Sequence, residues 1–138
     1  MNTYKINNLC TVGDGAHTSI KRQSTGIKYL SSKNFKPTGL DLSAVDFISE
    51  HDYSRHFNPS TKSLTTPSPG DVLFGIIGSL GVPYVVRKED AFGISSSVAI
   101  LRPKEGLNSK YLYYFLSSSF FQSSIDAFKS GVAQSFLS

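Results

Sequence analysis

Three glycines, Gly75, Gly78 and Gly81, recur at every third position inside the apolar stretch "PGDVLFGIIGSLGVPYVV" at residues 69–86. A phosphate cradle needs G-x-G-x-x-G or G-x-x-x-x-G-K-[ST] at a strand-to-helix turn, where the helix N-terminus supplies N–H groups and a dipole. Here no lysine follows the third glycine, and Val82, Pro83, Tyr84, Val85 and Val86 have the composition of a strand. The spacing instead predicts a hairpin, with strands over 71–77 and 82–88 joined by Gly78-Ser79-Leu80-Gly81, where glycine supplies positive φ. A strand–turn–helix nucleotide site is thereby disfavoured, and an antiparallel pair occupies the middle of the chain.

The flanking patterns extend this frame. Residues 9–12 read as a short strand closed by a Gly13-Asp14-Gly15 turn, residues 26–30 as a second strand, and 34–39 as a turn rich in Asn, Pro and Gly. Residues 45–48 form a brief strand that runs into Ser49, the N-cap of a short helix over 50–56. Beyond the hairpin, the alternation of Ile94, Ser96, Val98, Ile100 and Arg102 predicts one strand over 91–102 near a sheet edge. The period then changes. Leu107-Asn108-Ser109 caps "KYLYYFLSS", and Ser119 with Gln122 forms a capping box ahead of a second helix ended by Gly131, with Phe121, Ile125 and Phe128 on one face. Many short strands followed by two C-terminal helices make an α+β arrangement.

With 138 residues, this is expected to be one domain with a single core. Ten Phe and seven Tyr, against a charged fraction of 17%, exclude a disordered tail. The N-terminus has no apolar h-region and no run reaches membrane-spanning length, so a cytoplasmic protein is expected. Cys10 stands alone, which rules out a disulfide framework and a cysteine zinc cluster. His51 and His56 are five apart, off the helical face that a zinc pair requires. Asp14 with His17 lacks any nucleophile context and reads as a turn. Asn58-Pro59 is followed by Ser60-Thr61 rather than proline and an aromatic residue, against an adenine methyltransferase motif. No acidic residue has a lysine two positions on, as a metal-dependent nuclease would. No catalysis, cofactor or metal is expected.

The net charge of +4 is unevenly spread. Between Asp14 and Asp41 lie Lys21, Arg22, Lys28, Lys33 and Lys36, with His17 beside them and no acidic residue. A one-signed stretch attracts a polyanion, although a solvated basic loop has the same composition.

Five segments in order carry a resemblance: "VGDGAHTSIKRQSTGIKYL" with the residues that follow it, "PGDVLFGIIGSLGVPYVV", "GISSSVAILRP", "SKYLYYFLSS" and "SGVAQSFLS". Together they resemble a target recognition domain of the specificity (S) subunit of type I restriction-modification enzymes. That resemblance implies a twisted, partly β-helical body of short strands with helices at its C-terminal side. It also implies a non-catalytic role: reading one half of a split duplex-DNA target while a modification subunit methylates adenine and a restriction subunit cuts. The expected partners are double-stranded DNA, the modification (methyltransferase) subunit and, through it, the restriction subunit. A complete S subunit carries two such domains separated by long helices, and each runs on into an Ile-Pro-x-Pro segment and a conserved helix. This sequence stops at Ser138 before either, so the expectation is a single recognition domain over 1–138 without that helix, for which a homodimer would supply the second copy. The alternative is a non-catalytic interaction fragment or decoy that binds the modification subunits without reading DNA.

Within the resemblance, Lys21, Arg22, Lys28 and Lys33 are expected on phosphates, which gives a salt slope of about −3.6 at roughly −0.9 per contact. Thr18, Ser19, Arg22, Gln23 and Ser24 are the candidates for base edges, since Arg suits guanine and Gln suits adenine, with His17 beside them. Ser79 and Leu80, at the hairpin tip, are placed either on the sugar-phosphate backbone or in a turn facing solvent or core. Gln134 is either a polar DNA contact or a cap. Tyr111, Tyr113, Tyr114 and Phe115 offer stacking surface, but at helical spacing beside Leu112 and Leu116 they are expected in the core.

Overall fold

The computed structural model describes residues 9–59, 63–75, 82–119 and 121. Nine strands and two α-helices are found among them. β1 (Cys10–Asp14), β6 (Val72–Gly75), β7 (Pro83–Val85) and β9 (Val98–Pro103) form an antiparallel sheet in the order β1-β9-β6-β7. β5 (Asp46–Ile48), β2 (Ile27–Leu30) and β8 (Phe92–Ile94) form a mixed sheet, antiparallel at β5-β2 and parallel at β2-β8. β3 (Phe35–Lys36) and β4 (Gly39–Leu40) make a small hairpin. α1 spans Glu50–His56 and α2 spans Ser109–Ser117. The class is α+β, as expected.

Two buried clusters explain the strand sequences. On one side of the larger sheet, Leu73, Val98 and Ile100 pack with Tyr29, Leu30, Ile48, Phe57, Phe92 and Ile94. On the other, Val72, Phe74 and Leu101 pack with Cys10, Leu112, Leu116 and Phe121. Alternate residues of β6 and β9 therefore enter different clusters, and a strand buried on both faces reads as an unbroken apolar run. "VLFG" is such a run.

The hairpin of the middle stretch is present, with Val72 opposite Val85, Leu73 opposite Tyr84 and Phe74 opposite Pro83. Its expected tip, Ser79 and Leu80, lies outside the described residues. Asp71, buried at its foot, accepts from Arg102 Nε and NH2 of β9, both at 2.8 Å, and from Ser68 N at 2.8 Å. The caps also follow the sequence: Ser49 Oγ accepts from Asp52 N at 3.0 Å, and Asn108 Oδ1 from Lys110 N at 2.8 Å. The turn around 31–44 is held by buried Asn34, whose Nδ2 donates to the Asp41 and Ala44 carbonyls at 3.0 and 3.1 Å and whose Oδ1 accepts from Ser31 N at 3.0 Å.

Three expectations are corrected. Gly13 and Asp14 do not turn; they continue β1, opposite Ile100 and Ala99. Gly13 is required because the Leu64 carbonyl lies where a Cβ would be, and Gly15 because the Ile94 and Ser95 carbonyls do. The single strand expected over 91–102 is two strands in different sheets, broken at Ser95–Ser97, and its second half is central rather than an edge. On α2 only Leu112 and Leu116 are buried, whereas Tyr111 and Tyr114 are 66% and 68% exposed and Phe115 is exposed at its margin. The aromatic residues outnumber what one face of a nine-residue helix can bury. The second C-terminal helix lies almost entirely outside the described residues.

Candidate nucleic-acid interface

The basic stretch leaves the body where the two sheets meet. β1 belongs to one sheet and β2 to the other, so residues 15–26 cross between them. The return crossing at Ser95–Ser97 runs alongside: Ala16 N donates to Ile94 O at 3.0 Å, Gly15 N to Val98 O at 3.3 Å, and Ala16 bridges Ser95 in parallel. Buried Ile20 anchors the middle of the crossing in the inter-sheet core. Everything else from 17 to 25 is exposed.

Five interactions then shape the loop. Arg22 NH1 donates to the Ile20 carbonyl at 2.6 Å, and Arg22 Nε lies 3.5 Å from Asp46 Oδ2. The guanidinium carbon stands 4.5 Å above the ring of buried Tyr29, a cation–π contact that contributes about 0.5–1 kcal/mol where partly exposed. Gln23 N donates to Phe47 O at 2.9 Å, which joins the loop to β5, and Gln23 Nε2 turns back to Thr25 O at 2.7 Å. Phe47 is also in register with Lys28 of β2, so Gln23, Phe47 and Lys28 sit abreast, all at least partly exposed. Burial raises the pKa of Tyr29; Arg22 opposes that shift and Asp46 adds to it.

The charge pattern differs from the linear one. Asp14, outside the acid-free stretch, bonds His17 at 2.9 Å; Asp46 pairs with Arg22; and Asp41, its pKa lowered chiefly by Ser43 hydrogen bonds, also feels Lys36. The side chains of Lys21, Lys28 and Lys33 remain exposed, without an ion pair or hydrogen bond among the described residues. The hydroxyls of Thr18, Ser19 and Ser24 are likewise exposed and unbonded among them. Gln134 lies outside the described residues. Arg22 and Gln23, two of the five side chains expected to reach base edges, are engaged within the loop and with β5. Sequence reasoning missed Asp46 and Tyr29 as the supports of Arg22; only the β2–β5 register, a tertiary feature, brings these two side by side.

Among the described residues, no three His, Cys, Asp or Glu side chains are grouped to hold a metal ion, and no helix is long and apolar enough to cross a membrane.

No protein-family profile and no curated protein matches the chain. Solved structures do. The HsdS subunit from Thermoanaerobacter tengcongensis superposes with a TM-score of 0.54 and 19% identity over 83% of this chain. This chain shares the fold of part of that subunit. A second match, with a TM-score of 0.52 and 19% identity over 86% of this chain, comes from a structure concerned with complex assembly and conformational transition of the type I R-M system. In both, the match occupies 26% of the other chain, so this protein spans about a quarter of the length of those chains. In this chain the crossing at 15–26 is a surface loop with a built base and a free basic and hydroxyl rim.

Proposed function

We propose that this chain is a sequence-specific duplex-DNA reader, a target recognition domain that recognises one half of a bipartite target for a type I restriction-modification complex. The observation that carries the reading is that three lysine side chains, Lys21, Lys28 and Lys33, and three hydroxyls, Thr18, Ser19 and Ser24, are exposed and unpaired among the described residues, on the crossing loop and β2–β3 region of a chain that shares the fold of part of an HsdS subunit. Lysines without internal partners are available to phosphates, and hydroxyls can accept from or donate to either base edge. In this reading the chain is a twisted, partly β-helical single domain over 1–138, without catalytic residues or cofactor, acting in the cytoplasm. A modification subunit and, through it, a restriction subunit supply the chemistry, and a homodimer supplies the second half-site reader. Ser79, Leu80 and Gln134 remain proposed secondary contacts.

The structure alters one number expected from sequence. With Arg22 held by Asp46 and Tyr29, three phosphate contacts remain rather than four, so log K against log salt should fall with a slope of about −2.7 rather than −3.6. Binding of a random duplex pool across a salt series, followed by sequencing of the fraction bound at low salt, tests the proposal. A slope near that value with enrichment of a short site supports it; a flat response from folded protein overturns it. One observation favours a second reading, the non-catalytic interaction fragment: the outward face of α2 exposes Tyr111, Tyr114 and Phe115 together. A flat salt response with retained binding to the modification subunit is the result that reading expects.

A further inference from the structure

Arginine in a DNA-reading loop is ordinarily assigned to a guanine or a phosphate. The surroundings of Arg22 argue otherwise. Its guanidinium carbon is 4.5 Å above the Tyr29 ring, NH1 is 2.6 Å from the Ile20 carbonyl, and Nε is 3.5 Å from Asp46. Stacking over the ring leaves one guanidinium face outward, but the donor fork that would pair bidentately with guanine already points at the loop's own carbonyl and at a carboxylate. Gln23 follows the same pattern: N–H to Phe47 and Nε2 to Thr25. Together these contacts tie positions 20, 22, 23 and 25 to the sheet and to each other. Thr18, Ser19, Lys21 and Ser24 then project as the loop's free side chains.

We propose that Arg22 is a positioning residue that fixes the shape of the 17–25 loop through Tyr29, Asp46 and the Ile20 carbonyl, and that base-edge contact falls to Thr18, Ser19 and Ser24. The second half of this inference rests on the DNA-reading function above; the first half does not. Arginine suits the task because its planar group satisfies a ring face, a carbonyl and a carboxylate at once. Lysine in its place keeps the charge but has neither the plane nor the fork. Asp46 makes the arrangement testable from its other end, since a carboxylate near a DNA surface repels phosphate and its removal alone would strengthen binding to every duplex.

The full chain is used throughout, as wild type, Arg22→Lys, Arg22→Ala and Asp46→Asn. Amide hydrogen exchange without DNA reads the first half: in both Arg22 variants the Gln23 amide should exchange about tenfold faster while Tyr29 and Leu30 are unchanged, the signature of local rather than global opening. Equal Gln23 protection in all four proteins overturns the positioning role. Duplex-pool selection reads the second half. Arg22→Lys and Asp46→Asn should both relax the enriched site across several base pairs, and Arg22→Ala should keep the wild-type salt slope. A slope less negative by about 0.9 in Arg22→Ala would make Arg22 a phosphate contact, and loss of preference at a single G·C pair would make it a direct reader, either result overturning the proposal. Stronger binding of Asp46→Asn to all duplexes with the site preference intact would do the same. If wild type fails to bind duplex DNA at all, the DNA reading and the base-edge assignment fall, while the exchange data still decide what Arg22 does.

Discussion

Asn34 shows how one buried polar side chain can organise a segment whose regular structure is limited to a short 3-10 turn and the small β3–β4 hairpin. Its amide group meets two carbonyls and one N–H across residues 31–44, a set that only a group with both donor and acceptor ends can satisfy. Aspartate has nearly the same shape but no donor, so it would face the Asp41 and Ala44 carbonyls with oxygen against oxygen. Asn34→Asp should therefore be no gentler than Asn34→Ala, each lowering stability by about 2–4 kcal/mol through unsatisfied buried groups. Urea unfolding followed by circular dichroism measures it, and an Asn34→Asp midpoint equal to wild type would show that these bonds contribute little.

At the level of elements, Arg102 links β9 to the foot of β6 through both oxygens of buried Asp71. Removing the arginine leaves Asp71 with only the Ser68 amide, a loss of about 1–3 kcal/mol, tempered because the Arg102 side chain is 41% exposed. Arg102→Ala should lower the thermal midpoint, and Arg102→Lys should recover less than half of the loss, because a single ammonium cannot reproduce the bidentate pair. The elements that sequence made legible share one property: their signals are local. Ser49 and Asn108 cap helices using atoms two or three residues away, and the hairpin follows from glycines next to its strands. What escaped depends on distant residues. Nothing near Gly13 announces the Leu64 carbonyl that packs on it, and nothing near Ser95 announces that the strands on either side belong to different sheets. The candidate site divides in the same way: the lysines were readable as a run, whereas the Asp46 that withdraws Arg22 from that run comes from another strand.

For the molecule as a whole, Cys10 reports integrity. It lies in β1, is 1% exposed, and burial pushes its thiol up to about 11 despite the nearby Lys104 ammonium. A raised value keeps the nucleophilic thiolate scarce at pH 8, where the same cysteine in an unfolded chain is partly ionised. Modification by a thiol reagent at pH 8 should therefore be very slow in the native protein and should accelerate across the denaturation transition in step with circular dichroism. Rapid native labelling would show that β1 detaches by itself. The place of β1 has a further effect. Among the described residues its one strand partner is β9, and the pairing runs from Cys10 with Pro103 to Asp14 with Ala99, nearly the full span of those residues. Contacts so far apart in sequence are slow to form, because the intervening chain must first give up its freedom. During synthesis, β1 is thus obliged to wait until β9 has followed it out of the ribosome, and the corner from which the basic loop springs is completed only then.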